Sequence, residues 1–328
     1  MTLPEDRAIG ALWAFRFDAG RGTLLPDQAQ RDCLEVAAGG FAWMHFPLSD
    51  QRGRLFIERF AMPQPMREML LGAEHRLQIH TADGWVFGVL PDLERDFEGQ
   101  AVDIGRLYFA LNERFVFTVR RHALRSVDEV RRAIDAGAPV ASSADLFVML
   151  VERFIDLSEA RQQVLGAEID SIEDRVLAYA GDPSRLHVGP IRRELSRQHR
   201  EFLALRSAFH RALFHRGQAQ QHLLSERLPA LSQQLEDFDR DAADLLERSR
   251  LLHEEIESQV TATTNRSLRA LTILSTLMMP PTLIVGAWGM NVEVPFAHTP
   301  WGFLEASGLC VLVVLIAYVM LKQFNILR

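Results

Sequence analysis

Two apolar stretches near the C-terminal end constrain this chain more than any other feature. From Ala270 to Gly289, and again from Ala306 to Leu321, no residue is charged. Each comes close to the roughly 20 apolar residues a helix needs to cross a bilayer, the second if it starts near Trp301 and admits Glu305. Two buried core helices are the alternative, which the back-to-back placement disfavours. Arg266 and Arg269 precede the first stretch, Lys322 and Arg328 follow the second, and the connecting MNVEVPFAHTPW has no Lys or Arg. Positive flanks mark the cytoplasmic side, so both termini are expected inside and the loop outside. Trp288 and Trp301 then fall at the outer ends of the spans, where interfacial aromatics belong.

The rest of the chain is charge-rich. Charged residues are 24% of the 328 and the net charge is -7, which argues against a nucleic-acid partner. The two cysteines, Cys33 and Cys310, are far apart, so neither a disulfide framework nor a cysteine zinc site is expected. The N-terminal MTLPEDRAIGALW lacks the basic-then-apolar layout of a signal peptide, and the region it opens is expected in the cytoplasm.

Residues 1–140 read as an α/β domain, a mixed sheet with flanking helices. ALWAFRF, FAWMHF, LQIHTADGWVFGVL and LYFALNERFVFTVRR are short, aromatic and β-branched, and bounded by turn residues. LNER has the look of a hairpin turn. QPMREMLL and SVDEVRRAI are helical patches between them. No Gly-rich phosphate loop occurs, and no nucleophile or acid–base pair supports an enzyme. His45, His75, His80 and His122 show no ligand spacing and read as satisfied or solvent-facing.

Residues 141–266 read as a helical region and stalk. Ser142 or Ser143 is expected to cap a helix running to about Ala180, Ile191 to about His222 forms a second, and Pro229 opens or interrupts a third. That third helix runs without glycine into the first span, roughly 85 Å from Pro229 to Gly286, of which the membrane takes about 30 Å. Leu231, Leu235, Phe238, Leu245, Leu252, Ile256 and Val260 give it an apolar stripe. Its acidic run EDFDRDAADLLER reads as a solvated face, with a metal-binding ring in an oligomer as the sharper alternative. His253-Glu254-Glu255 does not match the two-histidine metalloprotease spacing.

Within the first span, Leu268, Thr272, Ser275, Met279, Thr282 and Gly286 follow steps of three and four and share one face. Small and hydroxyl residues there suit helix packing in lipid. They equally suit the wall of a pore, which two helices cannot enclose alone, so transport requires an oligomer. The span ends on Gly289-Met290-Asn291, where the glycine is expected to let the chain turn. A ring of carboxamide oxygens would hold the water shell of a cation that dehydrates reluctantly.

GMN after a span containing MPPT, at the head of a C-terminal two-span hairpin, resembles the CorA metal-ion transporter superfamily. The phrases ALWAFRFD, FAWMHFPLSD and FVFTVRRHALRSVDEVRRAI are most similar to its zinc-transporting ZntB branch. The resemblance implies a CorA-like funnel: an α+β cytoplasmic domain, a stalk helix, spans at 267–289 and 301–321, an external loop at 290–300 and a cytoplasmic tail at 322–328. It implies a homopentamer in the inner membrane, with Gly289, Met290 and Asn291 as the selectivity ring. Leu268, Leu271, Thr272, Ser275, Met279, Thr282 and Gly286 would line the path, with Glu293 and His298 attracting cations at the mouth. No resident cofactor is implied. The cargo would be a divalent cation, zinc first, with magnesium, cobalt, nickel and cadmium as alternatives, and protons as a coupled partner. A magnesium or cobalt channel gated by cytoplasmic magnesium is the nearest alternative, and a hairpin-anchored cytoplasmic sensor the alternative from another class. The chain departs from many members at Pro281, where leucine is common, and lacks the Met-Pro-Glu-Leu phrase of magnesium-transporting relatives.

Overall fold

The computed structural model describes residues 9–72, 76–95, 101–178, 186–214, 223–224, 227–289 and 301–323. The described backbone divides into two compact units, one of residues 1–172 with 188–250 and one of 173–187 with 251–328.

The first unit is built on a seven-stranded sheet in the order β2-β1-β3-β7-β6-β5-β4. The strands are β1 (Trp13–Asp18), β2 (Arg21–Leu25), β3 (Phe41–Pro47), β4 (Gln78–Ala82), β5 (Trp85–Arg95), β6 (Ala101–Leu111) and β7 (Phe115–Arg120). β3 pairs with β7 in parallel and every other neighbouring pair is antiparallel, so the sheet is mixed as its sequence led us to expect. The LNER turn closes the β6–β7 hairpin: Asn112 Oδ1 accepts from the backbone N–H groups of Arg114 and Phe115. An Asn side chain does this well because it mimics a backbone turn.

Strand alternation sorts the aromatic residues onto two faces. On one, Phe46 and Phe117 pack with Phe56 and Phe60 from and just after α1 (Gln51–Arg59). α2 (Gln64–Leu71) buries Met66 and Leu70. On the other, Trp13, His45 and Thr118 fall in register across β1, β3 and β7. α3 (Arg125–Asp135) buries Val127, Val130 and Ile134. Its first turn is capped from the sheet: the buried Asp92 of β5 accepts from the hydroxyl and N–H of Ser126 and the N–H of Val127. Burial nevertheless pushes the Asp92 carboxyl up to about 6.

Three helices follow: α4 (Ser143–Leu177), α5 (Gly189–Phe214) and α6 (Leu228–Trp288). Ser142 caps α4, its Oγ accepting from Asp145 N–H and donating to Asp145 Oδ2. The expected helix to His222 is described as far as Phe214, and Pro229 lies in the first turn of α6 rather than breaking it. An aromatic series joins these helices within the first unit: Phe109 to Phe147, Phe147 to Phe209, Phe154 to Phe202 and Phe202 to Phe238. Leu231, Leu235 and Phe238 of the expected stripe are buried there.

The second unit holds the end of α6 and α7 (Gly302–Gln323). Two segments, one within α6 and the other Phe303–Gln323, are long and apolar enough to cross a membrane. α6 passes unbroken through Pro280 and Pro281. Proline has no N–H, so the carbonyls of Thr276 and Leu277 lose their helical donors there.

Candidate functional site

The residues expected to line a path all lie on α6. Leu268, Leu271, Thr272, Ser275, Met279, Thr282, Gly286 and Gly289 are exposed. The partly covered residues of the same span are Ile273, Leu277, Pro280, Pro281, Ile284 and Trp288. These six also form one stripe. At about 100° per residue, the centres of the two stripes lie about 180° apart around the helix. α7 likewise has one partly covered stripe, at Ala306, Ser307, Cys310, Val313, Val314 and Ala317, ending on the buried Leu321.

The hydroxyls on α6 are set in a particular state. Thr272 Oγ1 donates to Leu268 O at 2.9 Å, and Thr282 Oγ1 donates to Met278 O at 2.8 Å. Thr276 does the same to Thr272 O at 2.8 Å, from a position about a quarter turn off the candidate face. A hydroxyl whose proton is committed to its own helix has only acceptor lone pairs left for anything outside. Thr272 and Thr282 therefore offer oxygen acceptors, which the water shell of a cation requires because its waters point their protons outward.

At the head of the loop, Gly289 follows the last helical residue, and its N–H still bonds Val285 O at 3.0 Å. Its backbone is not in the left-handed region, so the tight turn expected at this residue is not made here. Helical bonding persists through Gly289. Met290, Asn291, Glu293 and His298 lie outside the described residues.

The other metal hints resolve into ion pairs. His253 Nε2 lies 3.2 Å from Glu257 Oε1, one turn along. In the acidic run, Arg240 pairs with Glu236 and Asp237, and Arg250 holds Glu247. Among the described residues, no group of three or more His, Cys, Asp or Glu side chains is placed to hold a metal ion.

Of the four N-terminal histidines, His80 is exposed and bonded to Gln78, His122 is exposed, and His75 lies outside the described residues. His45 is buried: its ring stacks on Trp13 and its Nδ1 is 2.8 Å from Thr118 Oγ1. Its Nε2 has no partner among the described residues. Burial, with Arg120 nearby, holds the ring well below the usual histidine range. Cys33 is buried, with its thiol pushed up to about 12 by desolvation, and Cys310 is also free.

Two groupings had no counterpart in the sequence reading. One is a set of buried polar atoms on α5 and α6. Asp239 is 3.1 Å from Arg206 Nη1 and 3.0 Å from His199 Nδ1, the latter close but outside hydrogen-bond geometry. The other is a cluster of arginines on α5. Its signal was present in IRRELSRQHR, which has four arginines and one acid in ten residues.

Comparison with known proteins agrees with this architecture. Residues 38–323 match the family described as CorA-like Mg2+ transporter protein. The chain is 20% identical to the zinc transport protein ZntB of Pectobacterium atrosepticum over 321 residues, 94% of each chain. The full-length CmaX structure superposes with a TM-score of 0.80 at 17% identity, covering 97% of this chain and 98% of that one. The CorA magnesium transporter of Methanocaldococcus jannaschii gives a TM-score of 0.67 at 14% identity, covering 94% and 97%. The match over most of its length places the chain in the CorA-like Mg2+ transporter family, whose members are divalent-cation transporters and not enzymes.

Proposed function

We propose that the chain works as a homopentamer in the inner membrane, carrying a hydrated divalent cation along the exposed face of α6, with zinc as the principal cargo. One observation supports this above others: the face bearing Leu268, Leu271, Thr272, Ser275, Met279, Thr282 and Gly286 is uncovered from end to end, opposite the partly covered stripe. Copies arranged about an axis would bring these faces together. Leu268, Leu271 and Met279 would form apolar constrictions, and Thr272, Ser275 and Thr282 polar rings between them.

In this reading residues 1–140 and 141–266 are cytoplasmic, 267–289 and 301–321 span the membrane, 290–300 lie outside and 322–328 return to the cytoplasm. Gly289, Met290 and Asn291 form the outer ring, and Glu293 and His298 raise the local cation concentration. The span from Ala270 to Gly289 contains no Cys, His or carboxylate, the groups that bind zinc directly. Zinc therefore passes with its water, held by acceptors such as Thr272 and Thr282. The zinc assignment draws on the ZntB relative, and a proton gradient supplies the drive. Magnesium is the second reading, favoured by the family description and by the same acceptor chemistry, since that ion keeps its waters; cobalt, nickel and cadmium are further cargoes.

The test is uptake into proteoliposomes, zinc against magnesium, with and without an inward proton gradient. Zinc flux that rises with the gradient is expected. Magnesium flux indifferent to the gradient and suppressed by internal magnesium would replace this reading with the channel. In the same assay Asn291→Ala is expected to abolish flux, and unchanged flux would remove the ring assignment.

A further inference from the structure

A cavity of about 720 Å³ opens beside the first turns of α5 and is lined by Arg161, Arg192, Arg193, Arg197, Arg200 and Glu194, with Pro190 and Ser196. Its charges do not balance. Glu194 is held by Arg161 through two hydrogen bonds of 2.6 and 2.7 Å, which neutralises the carboxylate in the lining. Arg197 is matched by Asp103 of β6. Arg192, Arg193 and Arg200 have no carboxylate partner among the described residues. The Arg193 guanidinium lies over the start of the helix, its Nη1 3.9 Å from where a Cβ on Gly189 would stand. That is the positive end of the α5 dipole.

Gathering like charges on one helix is unfavourable. Arg193 and Arg197 are four residues apart and Arg197 and Arg200 three, spacings at which like charges repel. A chain of net charge -7 has carboxylates in excess to place against them, yet leaves this concavity cationic. Guanidinium groups present planar forks of donors that match phosphoryl oxygens two at a time. No aromatic ring lines the cavity to stack on a base, and no apolar side chain other than Pro190 faces it.

We propose that this cavity is a binding site for phosphoryl anions, recognised through their phosphoryl oxygens alone and held by Arg192, Arg193 and Arg200. The ligand is either a soluble polyphosphate tail or a phospholipid headgroup, which share this chemistry. The site is independent of the cation path and of the identity of the cargo.

The experiment titrates sodium tripolyphosphate into the purified full-length protein in detergent, by calorimetry, with EDTA present so that no divalent cation bridges protein and ligand. Saturable binding is expected, weakened at least tenfold in the combined Arg192→Gln, Arg193→Gln, Arg200→Gln variant. The corresponding triple lysine variant, which keeps charge and loses the fork, is expected between the two. A control removing Arg21, Arg54 and Arg59, exposed elsewhere in the first unit, should bind as the parent does. Equal loss in that control would reduce the effect to net charge and overturn the site, as would unchanged affinity in the glutamine variant. A second arm reconstitutes parent and glutamine variant in nanodiscs and measures retained phosphatidylglycerol. Retention by the parent and not the variant, without tripolyphosphate binding, assigns the ligand to the headgroup. Absence of both signals refutes the proposal.

Discussion

The two units use the same apolar side chains to opposite ends. In the first, Phe147, Phe202, Phe209 and Phe238 are at most 2% exposed, closed in by helices of the same chain. In the second, Leu271, Met279, Leu283 and Phe303 are at least 60% exposed. Burial of a large apolar side chain is worth roughly 1.5–3 kcal/mol. The first unit gains this from itself. The second does not find such cover among the described residues of its own chain. Thr272, Thr276 and Thr282 each satisfy the hydroxyl proton on their own helix.

The comparison breaks most readily by truncation. Phe202→Ala should lower stability by about 3–5 kcal/mol, because it opens a cavity between Phe154 and Phe238. Leu271→Ala, of the same apolar kind, should cost the dissociated single chain less than about 0.5 kcal/mol, as expected of a side chain uncovered in one chain. Equal losses in the dissociated chain would show that the second unit is covered by its own chain. The contrast is best read from tryptophan fluorescence, since Trp13, Trp43 and Trp85 lie in the first unit.

A smaller effect is pH-dependent. The folded state holds His45 well below its ordinary range, so it resists protonation that the unfolded chain accepts near pH 6.5. Below that pH the unfolded state binds more protons, and stability falls as pH falls. The slope approaches about 1.4 kcal/mol per pH unit for one group. His45→Gln should remove that component of the slope between about pH 6.5 and 5, measured as the difference between the two unfolding midpoints across the window. Ser142→Ala is expected to lose about 1 kcal/mol from removal of the α4 cap, measured by denaturant unfolding.

Much of the first unit was legible because local chemistry decided it. The LNER hairpin, the α2 segment QPMREMLL and the Ser142 cap each rest on contacts a few residues apart. β2 was not legible: Arg21–Leu25 is an edge strand with no buried residue, so no alternation marks it. α1 was hidden by Gly53, which weakens a helical reading but lets the helix approach Gly10, where an added Cβ would come 3.0 Å from Gly10 O. For the candidate path, one heptad-like line of residues sufficed to define the face. The α5 arginines of the cavity stood together in IRRELSRQHR, but the pairings of Arg161 with Glu194 and of Arg206 with Asp239 were not legible, because they join residues of different elements.

The central claim is that the exposed face of α6, and not its partly covered stripe, meets the transported cation. Single cysteines at Thr272, Ser275 and Thr282, and at Ile273, Leu277 and Ile284, placed in a Cys33→Ala, Cys310→Ser background, test it most directly. Each variant is treated in proteoliposomes with a positively charged, membrane-impermeant thiol reagent during divalent-cation flux. Block at 272, 275 and 282 with flux preserved at 273, 277 and 284 is the predicted result. Block at the second set and not the first would contradict the assignment and turn the cation path to the other side of the helix.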